Sequence, residues 1–229
     1  MFFKSENPSN KTFKTNIKST STSETVYNPN TKYARNYKIV MLGDSGAGKT
    51  SLMNRFVDKS LNISSSRTFG LDFLMRDIVI NKENVRLTIW DTAGTERFKS
   101  LSNMQIRGAH AYILCVDITN PNSFNELHIW LDKIKNSSTE QVPIFLVGTK
   151  NDLDYTVHPD IMKGFAELKN LSGCFQTSAV TGEGVDEVFF ELAETIYDSN
   201  KAETKASIKL DDANKEDTQD SSCCGGPSK

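Results

Sequence analysis

Residues 43–50 read Gly43-Asp44-Ser45-Gly46-Ala47-Gly48-Lys49-Thr50, the spacing G-x-x-x-x-G-K-[ST]. These residue types at this spacing suit a polyphosphate. The glycines let the backbone of Asp44, Ser45, Gly46, Ala47 and Gly48 wrap close to phosphate oxygens, with successive N–H groups and the start of a helix facing the negative charge. Lys49 is placed to reach the β and γ phosphates as a point charge and is a candidate catalytic residue. The Thr50 hydroxyl is a ligand for Mg²⁺, and Ser51 opens the helix beside the phosphates. A glycine-rich turn without a ligand is the alternative. It is weakened by the setting, a strand-like YKIVML at 37–42 before the motif and a helical Ser51-Leu52-Met53 after it.

A second set begins at Asp91, which ends the apolar run VRLTIW. Its carboxylate is suited to hold Mg²⁺ through water, and Gly94 can offer an N–H to a γ phosphate because no side chain blocks the approach. A third set, Thr149-Lys150-Asn151-Asp152, follows PIFLVG. The Asp152 carboxylate can accept from both N1–H and N2–H₂ of guanine, a paired contact that adenine cannot return, which selects GTP over ATP. The Lys150 stem can cover the ring. Thr177-Ser178-Ala179 would close the pocket with backbone N–H groups aimed at the guanine oxygen. A nucleoside-triphosphatase acting on ATP fits Asp152 poorly.

These residues need strands that end on one edge. Apolar runs alternate with helical patterns between residues 37 and 200, the pattern of an α/β domain with a mostly parallel sheet. DFLMRDIVI and VRLTIW, joined by Asn81-Lys82-Glu83-Asn84, read as a hairpin. AYILCVDI at 111–118 and PIFLVG at 143–148 are continuous apolar runs, as expected of strands covered on both faces. Val185, Val188, Phe189, Leu192 and Ile196 recur at helical spacing and predict a last helix packed on the sheet. Trp90 and Trp130 read as core residues.

Taken in order, the three motifs resemble those of the Ras-like small GTPases across roughly residues 37–198. TFGLDF, RLTIW, WDTAGTERF, Arg107-Gly108-Ala109 and VDIT are similar to segments of the Rab family. The resemblance implies a P-loop nucleoside-triphosphatase fold: a three-layer α/β/α domain with a six-stranded, mostly parallel sheet and five helices. It also implies a monomeric switch between GTP and GDP forms that needs Mg²⁺, meets an exchange factor and an activating protein, and recruits effectors in vesicle traffic. By the same analogy Thr68, eighteen residues after Thr50, is the first-switch threonine that ligates Mg²⁺ and senses the γ phosphate. Leu61, Thr149 and Val180 stand where the family usually has an aromatic residue, Asn and Lys, although Rho-like relatives also carry Thr at the second of these. Met104-Gln105-Ile106 replaces the usual tyrosines.

Thr95 stands at the family's water-orienting glutamine. A threonine hydroxyl is too short to reach both water and phosphate, so very slow intrinsic hydrolysis is expected, by about 10²-fold if one preorganised hydrogen bond is lost. Activating proteins of the TBC type are understood to supply an arginine and a glutamine in trans, so hydrolysis by a partner survives. The competing reading is a GTP-binding module with almost no hydrolysis, a constitutively loaded effector platform.

Composition frames these readings. A net charge of -2 and a pI near 6.0 give no global reason to expect nucleic acid as a partner. Residues 1–36 are rich in Ser, Thr, Asn and Lys, with six Lys or Arg against two Glu, and read as a disordered extension. A transit peptide is disfavoured because Arg35 is the extension's sole arginine. Residues 201–229 read as a flexible tail. There is no signal-peptide core and no apolar run near the roughly 18 residues of a membrane span. Cys115 and Cys174 lie in apolar runs where a small hydrophobe fits, and the spacing of the four cysteines suits no zinc site, so a reduced intracellular setting is the simplest reading. His110, His128 and His158 read as surface or helix-end residues. Cys223 and Cys224 stand adjacent in the tail, where the resemblance implies geranylgeranyl groups and a place on the cytosolic face of an internal or plasma membrane. Five residues follow Cys224, more than the family usually has.

Overall fold

A computed structural model describes residues 33–59, 71–92, 106–137 and 141–213. Among them the chain runs β1 (Arg35–Gly43), α1 (Lys49–Asp58), β2 (Leu71–Ile80), β3 (Glu83–Thr92), β4 (Ala111–Asp117), α2 (Pro121–Asn125), α3 (Leu127–Ser137), β5 (Ile144–Thr149), α4 (Pro159–Leu168), β6 (Gly173–Gln176) and α5 (Val185–Ala213). The strands form one six-stranded sheet in the order β2-β3-β1-β4-β5-β6. Only β2 runs antiparallel to its neighbour; β1, β3, β4, β5 and β6 are parallel. This is the expected α/β/α arrangement. The short α2 leads straight into α3, so four helical units flank the sheet among the described residues where the resemblance implies five.

Alternation along the strands builds two cores. Ile39 and Met41 of β1 point to the layer made by α1 and α5, while Val40 and Leu42 point to that made by α3 and α4. Every residue of β4 is buried, which is why its sequence is a continuous apolar run rather than an alternating one. The predicted stripe on the last helix holds: Val185, Val188, Phe189, Leu192 and Ile196 are all buried in the α1 and α5 layer. Trp130 is buried and Trp90 half-buried in the opposite one. The hairpin turns at Asn81 (φ 50°) and Lys82 (φ 69°), the left-handed pair of a two-residue loop that matches the strands' twist.

Two boundaries differ from the sequence expectation. The sheet starts before Tyr37: Arg35 and Asn36 pair with Val85 and Arg86, and the Ala34 N–H donates to the Asn84 carbonyl at 2.8 Å. Backbone pairing recruits these polar residues because β3 extends that far, and apolarity does not register it. Helix α5 continues past residue 200 to Ala213. The segment Lys201-Ala202-Glu203-Thr204-Lys205-Ala206 lacks an apolar stripe yet consists mostly of strong helix formers, so a helix already nucleated propagates through it.

Helix α1 carries the phosphate motif and is pinned from behind. The Phe56 ring stacks on Phe189 of α5 with centroids 4.0 Å apart. The Arg76 guanidinium lies 4.3 Å from the Phe56 ring, donates to the Phe56 carbonyl at 2.6 Å and pairs with Asp186 at 3.1 Å. Phe56 is fully buried. Phe56→Ala is expected to lower unfolding free energy by about 3 to 5 kcal/mol, read as a lower urea midpoint at unchanged slope.

Candidate functional site

Parallel strands all end on one edge, and the motif residues collect there. Gly43 closes β1 with φ 145°, and a Cβ on it would run into the Cys115 carbonyl oxygen of the neighbouring β4. Gly48 caps α1 in a left-handed conformation, φ 78°, with the Thr149 side chain 3.3 Å from where its Cβ would be. Between these glycines the loop bends back on itself. The Ser45 N–H donates to Asp44 Oδ1 at 2.6 Å, and the Lys49 ammonium donates to the Gly43 and Asp44 carbonyls at 2.9 and 2.7 Å. Lys49 is 5% exposed. Burial pulls its pKa down, and the nearby acids Asp91 and Asp44 oppose that by favouring the charged form. Among the described residues the ammonium's hydrogen-bond acceptors are these two neutral carbonyls, and phosphate oxygens are stronger acceptors.

Thr50, in the first turn of α1, donates from Oγ1 to Asp91 Oδ2 at 2.5 Å. Asp91 is fully buried near the end of β3, next to Met41 of β1. A hydroxyl and a carboxylate meeting beside a phosphate loop are hard oxygen donors of the kind Mg²⁺ takes, and that ion needs only one or two protein ligands because phosphates and water complete its shell. The donor set fits Mg²⁺. Among the described residues no cluster of three or more His, Cys, Asp or Glu offers an alternative metal site.

The second motif is tied to the first through Thr149. Its Oγ1 lies 2.9 Å from the Ala47 carbonyl and 3.1 Å from that of Val116, so this hydroxyl joins the base-side loop to the phosphate loop. A cavity of about 190 Å³ opens between them, lined on one side by Gly48 and Ser51 and on the other by Lys150, Asp152, Ala179 and Val180. Asp152 Oδ1 accepts from the Ser178 hydroxyl at 2.6 Å, and Ser178 Oγ in turn accepts from the Val180 and Thr181 amides, both at 3.1 Å. The carboxylate is therefore held in a fixed orientation in the cavity wall.

This narrows one sequence expectation. The Thr177 and Ser178 amides donate to Gly148 and Glu183 carbonyls, so of the three expected backbone donors only that of Ala179 carries no such commitment among the described residues. Ser178 contributes through its hydroxyl instead. Sequence reasoning missed this role, and it missed Asp117, which accepts from Lys150. No local signal marks either, because both contacts join residues far apart in the chain. Lys49, Thr50, Asp91, Thr149, Lys150, Asp152, Ser178 and Ala179 come together on one edge. Thr68, Gly94, Thr95, Leu61, Met104, Gln105, Cys223 and Cys224 lie outside the described residues. Ile106 is buried, with its carbonyl accepting from the Tyr112 hydroxyl at 3.0 Å.

Two cysteines and two histidines outside the groove have packing or capping contacts. Burial pushes the Cys115 thiol up to about 12, so it stays protonated as a small core residue, and Cys174 is raised to about 11. His158 caps α4, and His128 bonds the Asn125 carbonyl at the start of α3.

A glycine loop with a buried lysine, a hydroxyl and carboxylate pair for Mg²⁺, and an oriented aspartate in an adjoining cavity define a nucleotide-binding α/β domain. Comparison with known proteins gives its family. The model of the Ras family matches residues 38–198. The chain is 38% identical over 199 residues to the Ras-related protein RAB1BV of Beta vulgaris, covering 82% of this chain and 92% of that protein. It is 34% identical over 203 residues to the GTP-binding protein ypt1 of Schizosaccharomyces pombe, covering 85% and 100%. With the Ras-related protein RabG2 of Dictyostelium discoideum the figures are 35% over 174 residues, 75% and 88%. The chain belongs to the Ras family, as a small GTPase of the Rab type. Membership brings GTP and GDP as ligands, Mg²⁺ as cofactor, GTP hydrolysis as the reaction, and exchange factors, activating proteins and trafficking effectors as partners. Among the described residues no helix is long and apolar enough to cross a membrane.

The Thr149 bridge makes a direct prediction. Thr149→Val keeps the shape, removes the hydroxyl and leaves the Ala47 carbonyl without its donor, a loss of about 1 to 2 kcal/mol. Bound guanine nucleotide should leave roughly tenfold faster, measured by the release rate of a fluorescent GDP analogue.

Proposed function

We propose that this chain is a Rab-type switch with slow intrinsic GTP hydrolysis, turned off mainly by a partner. The observation that carries the reading of the site is the convergence of Lys49, the Thr50 and Asp91 pair, and the Ser178-oriented Asp152 around one groove. In this reading Asp44, Ser45, Gly46, Ala47 and Gly48 present backbone to the phosphates, with Ser51 beside them. Lys49 donates to the β and γ phosphates. Asp152 takes the guanine edge while Lys150 covers the ring, with Thr149 and Ala179 closing the pocket. Thr50 and Thr68 would hold Mg²⁺ directly and Asp91 through water; the ion neutralises charge that develops on phosphate oxygens. Gly94 offers an amide to the γ phosphate.

The slow step follows from Thr95. Orienting an attacking water requires one group that reaches water and phosphate together, and a threonine side chain is shorter than the glutamine it replaces. Binding is unaffected, because the residues that grip the nucleotide are separate from the one that aims the water. An activating protein of the TBC type, bringing its own arginine and glutamine, restores cleavage. The chain acts as a monomer, and geranylgeranyl groups on Cys223 and Cys224 place it on the cytosolic face of an internal or plasma membrane, since two lipid chains suffice where one is marginal.

Thr95 also favours a second reading, a permanently GTP-loaded platform for effectors. The nucleotide released from the purified protein separates the two: GDP supports the switch, and GTP alone supports the platform. Single-turnover cleavage of GTP by the purified chain should rise about 10²-fold in Thr95→Gln; equal rates would refute the role given to Thr95. Mass spectrometry of the C-terminal peptide from native cells should show two prenyl groups, and an unmodified Cys223-Cys224 pair would remove the anchor.

A further inference from the structure

Strand β4 ends at Asp117, paired in parallel register with Thr149, the last residue of β5. The next residue, Lys150, turns in the left-handed region with φ 64°, a conformation uncommon for a non-glycine residue. Its side chain folds back across the strand ends, and Nζ donates to Asp117 Oδ2 at 2.5 Å. Asp117 is itself fixed. Its Oδ1 accepts from the Thr119 N–H at 3.0 Å and the Thr119 hydroxyl at 2.6 Å, and its own N–H donates to Ser123 Oγ at 3.0 Å. It is 8% exposed. Burial on its own would raise its pKa, but the Lys150 and Thr119 bonds outweigh that and hold the carboxyl below the usual carboxylate range. The carboxylate is thus charged at neutral pH, oriented from one side and joined to a lysine on the other.

Lys150 lines the base cavity, whereas Asp117 lies behind it. We infer that Asp117 is a positioning residue for the purine: by anchoring the Lys150 ammonium at the end of β4, it holds the lysine stem as a preformed wall of the base cavity. The inference rests on the guanine-nucleotide reading of that cavity. A free lysine loses rotamer freedom when a ring packs against it, and the ion pair with Asp117 restricts that freedom in Lys150. The division of labour with Asp152 is chemical. Asp152 reads the hydrogen-bonding edge of the base, while Asp117, acting through an aliphatic stem, supports any purine face. Loss of Asp117 should therefore weaken retention of guanine and hypoxanthine nucleotides equally.

The test uses the full-length protein loaded with N-methylanthraniloyl-GDP in Mg²⁺ and chased with excess GDP. Asp117→Asn keeps the shape and the Thr119 contacts but loses the charge, and release should be about tenfold faster, the usual effect of losing one charge-assisted contact. Lys150→Met keeps an apolar stem without the ammonium on a partly exposed side chain, so its folding is not in question, and it should show the same acceleration. The double variant should be no faster than either single one, and the preference for GDP over IDP should stay within about twofold of the unaltered chain. Release from Asp117→Asn or Lys150→Met at the unaltered rate overturns the inference. So does a further tenfold effect of Asp117→Asn in the Lys150→Met background, or a selective loss of GDP over IDP. If the unaltered chain takes up no guanine nucleotide, the cavity reading fails first and the inference falls with it.

Discussion

The parallel alignment of β1, β3, β4 and β5 is the constraint from which the site follows. Met41 lies beside Asp91, Gly43 beside Cys115, and Asp117 beside Thr149, so these four strands end on the same edge within two residues of their neighbours. Backbone hydrogen bonding thus decides where the chemistry sits before any functional side chain is considered. Ligands gather at this edge of open α/β sheets because the loops leaving it are free to vary while the strands beneath them are packed on both faces. The two buried cores provide that rigidity, with β4 apolar throughout and α1 clamped between Arg76 and Phe189.

On this frame, the site is a chain of polar contacts linking loops remote in sequence. Lys49 is fastened inside its own loop, Thr50 meets Asp91, Thr149 reaches Ala47, and Ser178 holds Asp152. Each contact fixes a group that would otherwise be mobile at a strand end or helix start. Preorganisation of this kind reduces the entropy a ligand must remove, and so sharpens both affinity and the choice of base. Threonine at 149 serves as such a bridge with its single hydroxyl, which makes the departure from the usual asparagine compatible with a shaped pocket.

Much of this was legible in the sequence, for reasons that differ by element. Strands β1, β4 and β5 announce themselves because burial on both faces forces apolar runs, and α5 because its inner face repeats at helical spacing. The phosphate loop is legible because two glycines, a lysine and a hydroxyl act within eight residues. Less could be read where the contact is long-range or purely backbone. Arg35 and Asn36 are polar yet belong to β1 because β3 offers partners, and beyond residue 200 α5 runs on to Ala213 where Lys201 to Ala206 carry no apolar stripe to mark it. Ser178 works through its hydroxyl where its amide was expected, since the amide goes to Glu183, and Asp117 meets Lys150 from another strand.

The central claim is that one groove grips polyphosphate and guanine together. Titration of the nucleotide-depleted full chain with GDP and with ADP, in Mg²⁺, by calorimetry tests it most directly. One equivalent of GDP bound, with no measurable heat for ADP, is the predicted result. Equal uptake of the two nucleotides, or no uptake of either by a folded sample, would contradict the account.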